Sequence, residues 1–178
     1  MHGKPKPAIF TIGHSTRTQD SFISILQENG ITLLVDVRTI PRSRRNPQFN
    51  MESLPAPLKK AGIRYLHMPE LGGLRHALKD SPNAGWRNAS FRGFADYMQT
   101  PDFEKSVSSL IALSNKEKIA IMCAEAVPWR CHRSLISDAL TVHGIRVEHI
   151  MGPGSLRPHE LTPFASVRGT RITYPEAK

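Results

Sequence analysis

The chain has 178 residues, 39% of them hydrophobic, with 24 Lys and Arg against 15 Asp and Glu and a net charge of +9. That size suits one domain with a real core, and no apolar run approaches the roughly 18 residues that span a membrane. Two cysteines are too few for a secreted disulfide scaffold.

The start lacks a signal-peptide pattern, so a cytoplasmic protein is expected, with a frayed tail over residues 1–8. "AIFTIGHS" is a short apolar run that ends in Gly13, a strand running into a loop. Thr18 is a plausible N-cap for a helix whose apolar face is Phe22, Ile23, Ile25 and Leu26, with Gly30 as its stop. "ITLLVDVR" reads as a buried strand ending at Asp36 and Arg38, which completes a β-α-β unit. "NMESLPAPLKKAG" predicts a short helix interrupted by Pro55 and Pro57. "IRYLHMPELGG" predicts a third strand entering a glycine turn, and residues 74–92 read as loop. Helical spacing follows from Phe94 to Lys118, broken near Pro101. "IAIMCAE" is a fourth strand, "RCHRSLISDALTVHG" a helix stopped by Gly144, and "IRVEHIM" a fifth strand.

The expected architecture is a single α/β domain over residues 9–151: an open, mostly parallel sheet with helices on both faces. Residues 152–178 read as a Pro- and Gly-rich C-terminal extension, wrapped or disordered. Ligands of such sheets bind beyond the carboxyl ends of the strands. The polar residues collect at those ends: Gly13, His14 and Ser15; Asp36 and Arg38; Glu70, Gly72 and Gly73; Cys123 and Glu125.

Four of these segments, "TIGHST", "DVRTIPRS", "LGG" and "MCAEAVPWRCHR", together resemble the family catalogued as domain of unknown function 488, over roughly residues 9–150. The resemblance implies a Rossmann-like α/β domain and supplies no activity, so function has to be argued from the site.

Both cysteines fall in the last segment. Cys123 sits between a strand and a helix, where Arg130, Arg133 and the helix N-terminus favour thiolate and Glu125 and burial oppose it. The expectation is a Cys123 thiolate forming below about pH 8.5. A strand, a cysteine, a loop, an arginine and a helix resemble the layout of cysteine phosphatases and sulfurtransferases. The spacing departs from the phosphatase pattern: six residues rather than five separate Cys123 from Arg130, and the loop has no glycine. Cys123 equally reads as a small core residue. Cys123, Cys131 and His132, with His14 or His67, form an alternative metal set. It is weakened by the long Cys-to-Cys spacing and by adjacent helical residues pointing about 100° apart.

The remaining candidates are His14 as general acid or base, Glu125 as a catalytic carboxylate or a salt-bridge partner, and Asp36 as orienter of His14 or partner of Arg38. Ser15 is an anion ligand or a helix cap. Arg38, Arg42, Arg130 and Arg133 are candidate anion binders, and Gly72 and Gly73 a ligand loop. Arg38, Arg42, Arg44 and Arg45 crowd a proline-punctuated loop, and Phe49, Trp86 or Trp129 would be available to stack on a base.

These features point to an enzyme acting on nucleic acid or a phosphorylated small molecule at a Cys/His/Glu/Arg cleft. The competing class is a nucleic-acid-binding module with structural cysteines. Arginines converging on Cys123 favour catalysis, and arginines spread over a broad face favour binding. No motif names a cofactor or an oligomeric state.

Overall fold

The structure, a computed structural model, describes residues 7–177. Its central strands are apolar on both faces, so they need cover on both sides. Strands β1 (Ala8–Gly13), β2 (Leu33–Asp36), β3 (Arg64–His67), β4 (Ile119–Cys123) and β5 (Arg146–Gly152) run parallel, and β6 (Ser155–Pro158) joins antiparallel, in the order β3-β2-β4-β1-β5-β6. The register pairs Gly13 with Cys123 and Asp36 with Met122. This brings the carboxyl ends of β1, β2 and β4 to one edge.

Side-chain alternation splits the core into two layers. Ile9, Leu33, Val35, Ile121 and Cys123 face helices α3 (Ala89–Tyr97), α4 (Pro101–Ser114) and α5 (Arg133–Val142). Phe10, Ile12, Leu34, Ala120 and Met122 face α1 (Gln19–Glu28) and α2 (Pro55–Lys60). The fold is therefore α/β with helices on both faces, as the sequence implies. Among the described residues no helix is long and apolar enough to cross a membrane.

The helix boundaries follow side-chain chemistry. Thr18 caps α1 by accepting from the Ser21 N–H at 3.1 Å, and Thr100 caps α4 by accepting from Phe103 N–H at 3.3 Å. Pro101 opens α4 rather than bending one long helix, and Pro55 opens α2 rather than interrupting it. Both prolines sit where a missing N–H costs nothing.

Residues 1–6 of the expected N-terminal tail lie outside the described residues. Beyond Gly152 the chain forms β6 and a small hairpin, β7 (Ser166–Arg168) and β8 (Arg171–Thr173). Ile172 and Tyr174 return to the main core. Tyr174 is fully buried, and its hydroxyl donates to Asp138 Oδ2 at 2.7 Å. Tyr174→Ala is expected to destabilise the whole domain by about 3–5 kcal/mol in urea unfolding. A change below about 1 kcal/mol would mean that this segment packs independently.

Candidate functional site

The site is built on one corner, where β4 runs out over the end of β1. The β1–β4 ladder continues past the strands: His14 N–H donates to Cys123 O and Ser15 N–H to Ala124 O, both at 2.9 Å. On the other side Val37 N–H donates to Met122 O at 3.0 Å. The two backbones come so close that a Cβ on Gly13 would overlap the Glu125 carbonyl. Glycine is thus required in "TIGHS" for close approach. Ser15, which follows, holds a φ of 49°, the one non-glycine positive φ among the described residues.

This approach places two sulfurs on the cleft floor. Cys123 Sγ and Cys131 Sγ lie 2.7 Å apart and both are buried. Beneath them Arg133 is fully buried. Its Nε donates to Cys123 Sγ at 3.0 Å, its Nη1 to Thr11 Oγ1 at 2.8 Å, and its Nη2 to the Glu125 carbonyl at 2.7 Å. Among the described residues no carboxylate lies within ion-pair distance of Arg133. A guanidinium does not give up its proton, and a buried charge needs a counter-charge. Among the described residues, the groups in contact with it that can supply one are the sulfurs.

The two thiols therefore titrate as a unit. The hydrogen bond shared with Cys123, together with Arg133, draws Cys131 down to about 7, while burial pushes Cys123 well above its ordinary value. This corrects the sequence expectation. The first thiolate of the pair forms early, but Cys123 alone is not the low-pKa thiol, because burial at the strand end outweighs the arginine.

A second buried ion pair forms the cleft wall. Arg38 donates to Asp36 through Nε at 2.9 Å and Nη2 at 2.7 Å, and its Nη2 also reaches the Phe49 carbonyl. Asp36 takes a further hydrogen bond from Tyr65. Asp36 thus works as the partner of Arg38 and does not touch His14. His14 donates from Nδ1 to the Ser15 carbonyl at 2.9 Å and accepts at Nε2 from Arg38 at 3.3 Å. Its ring stacks on Phe49 with centroids 4.4 Å apart. Burial lowers its pKa to about 4, so it stays neutral at physiological pH.

The cleft itself, about 390 Å³, is bordered by His14, Arg38, Arg42, Gly73, Cys123, Glu125, Arg130, Cys131 and His132. Asp36 and Arg133 lie behind its surface, and Ser15 and Gly72 lie outside its lining. Gly73 presses on the His132 ring, leaving no room for a Cβ. Glu125 is exposed at the rim, where its carboxylate accepts from Val127 N–H at 3.3 Å. Arg44 and Arg45 are exposed and do not reach the cleft.

Among the described residues no group of three or more His, Cys, Asp or Glu has a metal-holding arrangement. His132 donates from Nε2 to Val37 O at 3.0 Å, and His67, a candidate fourth ligand, donates to Arg38 O at 2.7 Å. The expected stacking residues are also placed elsewhere. Phe49 is buried under His14, Trp86 packs among Phe91, Phe164 and Tyr174, and Trp129 lies under Arg157. The aromatic ring that does line the cleft is Phe91. The sequence reading also missed Thr11 and His149, whose only signal is a polar residue inside an apolar strand.

A histidine held neutral by burial gives stability a pH slope. The unfolded chain protonates His14 from its ordinary value of 6.5 downward, the folded chain only near 4. Stability is therefore full above pH 6.5 and falls as pH drops toward 4. Urea midpoints across this window are expected to show the fall, and His14→Gln to reduce its slope by about one proton. An unchanged slope in the variant would place His14 in a solvated setting.

A family model described as Domain of unknown function DUF488 matches residues 18–140, which leaves "TIGHS" outside the matched span. No curated protein and no solved structure matches the chain. With more than half of its length matched, the chain belongs to the DUF488 family.

Proposed function

We propose that this protein is an enzyme that acts on a phosphorylated small molecule or on nucleic acid, with the thiolate of the Cys123–Cys131 pair as its nucleophile. The observation that carries this reading is convergence. Arg38 and Arg42, from the loop after β2, and Arg130, from the turn after β4, border the same cleft as the two sulfurs. Arginine forks match phosphate oxygens in pairs. Ser43 and Ser90 add hydroxyls to the lining, while Ile40, Leu74 and Phe91 give it an apolar side suited to a base or another flat group.

The roles divide by charge and burial. Arg133 holds the pair's negative charge and is consumed by that task. Arg130 is exposed and available to an anion, and the exposed Arg42 would have to leave its surface pair with Glu52 at 3.4 Å. Arg38 lines the cleft with its nitrogens engaged by Asp36, the Phe49 carbonyl and His14, so it adds fixed positive charge to the wall. Glu125 is the carboxylate exposed at the rim, and in this reading it swings from the Val127 N–H to move a proton to or from a leaving group. His14 is a neutral wall that fixes Arg38.

One observation favours a broader nucleic-acid contact: Arg44 and Arg45 extend the basic loop beyond the cleft into solvent. A salt series separates the two readings. If nucleic acid is the substrate, affinity falls steeply with salt, and replacing Arg42, Arg44 and Arg45 with Ala flattens the slope by about three charges.

Binding of inorganic phosphate and of a nucleoside monophosphate, followed calorimetrically, tests the main reading. Arg130→Ala is expected to weaken binding by about fivefold to tenfold. Cys131→Ser is expected to retain binding and lose turnover. Absence of phosphate or nucleotide binding by the native protein would defeat the proposal.

A further inference from the structure

Behind the sulfurs an unbroken line of hydrogen bonds leads away from the cleft and into the opposite side of the domain. Arg133 Nη1 meets Thr11 Oγ1 at 2.8 Å, and Thr11 Oγ1 meets His149 Nδ1 at 2.6 Å. His149 Nε2 meets His159 Nδ1 at 2.9 Å, and His159 Nε2 meets Asp138 Oδ1 at 2.7 Å. Thr11, Asp138 and His149 are buried. Asp138 is held from three further directions, by Thr162 N–H, Thr162 Oγ1 and Tyr174 OH.

The direction of this line is fixed at both ends. Arginine can only donate, so the Thr11 hydroxyl accepts from Arg133 and keeps its own proton to offer to His149 Nδ1. A carboxylate can only accept, so the His159 Nε2 proton goes to Asp138. With both imidazoles neutral, His159 spends its one proton on Asp138, so His149 carries its proton on Nε2, gives that hydrogen bond to His159 Nδ1 and takes the Thr11 proton at Nδ1. Every donor points from Arg133 toward Asp138. A buried cation and a buried anion are thus joined by oriented neutral dipoles, with no group left unsatisfied.

We propose that Thr11, His149, His159 and Asp138 are positioning residues that hold Arg133 against the Cys123–Cys131 pair, so that ionisation of the pair depends on side chains that touch neither sulfur. Arg133 lies on the first turn of α5 and its side chain must reach across to β4. Its Nη2 bonds to the Glu125 and Ala126 carbonyls tether one edge of the guanidinium. The bond to Thr11 fixes the other edge and so the aim of Nε at Cys123. The titratable or charged groups facing the sulfurs are Arg133 and His132 from α5 and its cap. The Glu125 carboxylate is turned outward to the Val127 N–H. Arg133 is therefore the charge whose placement decides the ionisation.

This role matters for catalysis only if the thiolate is the nucleophile proposed above, but its test needs no substrate. Ultraviolet thiolate absorbance against pH reports the pair directly. Thr11→Val keeps the shape and removes the hydroxyl, and is expected to raise the first ionisation by about one unit, leaving roughly fivefold less thiolate at neutral pH. Thr11→Ser restores the hydroxyl and is expected to restore the titration. Nitrogen NMR of the native protein gives a second reading that holds even if Thr11→Val does not fold: His149 and His159 are both expected as neutral Nε2–H tautomers. An unchanged titration in folded Thr11→Val, or a His149 proton on Nδ1, would overturn the relay. Failure to bind phosphate would defeat the proposed function and leave these measurements as they stand.

Discussion

Arg133 is fully buried, and among the described residues no carboxylate reaches it. Moving such a charge out of water costs several kcal/mol unless other groups compensate it. Two thiols at 2.7 Å from one another supply what is missing, since one proton and one negative charge can be shared between them. The corner geometry serves this contact. Gly13 lets the β4 loop cross β1, the crossing brings the Glu125 and Ala126 carbonyls over the guanidinium, and the turn after Pro128 carries Cys131 back onto Cys123. Both cysteines occupy this corner because a buried cation sits under it.

The second buried cation is handled differently, and the contrast explains the division of labour across the cleft. Arg38 has its own carboxylate, Asp36, in a two-point hydrogen-bonded pair. Its charge is neutralised locally, so it builds a wall without ionising its neighbours. It also keeps His14 neutral, since His14 Nε2 accepts from Arg38 and burial disfavours a second charge. One arginine thus shapes the pocket and the other faces its sulfurs. The arginines at the mouth are exposed: Arg130, and Arg42 with Glu52 beside it at 3.4 Å.

Much of the fold was legible because it rests on short-range signals. Apolar runs of strand length, the Thr18 cap and the Gly144 stop mark elements that the structure contains. The convergence of His14, Arg38, Cys123 and Glu125 on one edge was legible too, because a parallel sheet sends its carboxyl ends there. The illegible part is long-range and polar. Arg133 reads as an anion binder from its motif, and only packing reveals that it is sealed and already occupied. Thr11 and His149 look like incidental polar residues in apolar strands until their contact, 138 positions apart, is seen. The thiol reading set Arg130, Arg133 and the helix N-terminus against Glu125 and burial, but spacing does not say how deeply Cys123 lies, and burial pushes its thiol up.

If the buried Arg133 governs this corner, it makes one thiol of the pair an anion. Counting thiolates spectroscopically as pH rises tests it directly, on the native protein with Cys123→Ser and Cys131→Ser alongside. One thiolate per chain is expected to appear with a midpoint near 7. The second sulfur should stay protonated well above the ordinary thiol range, and removal of either cysteine should move the first midpoint. A native protein that shows no thiolate until about pH 8.5 or higher would contradict the account.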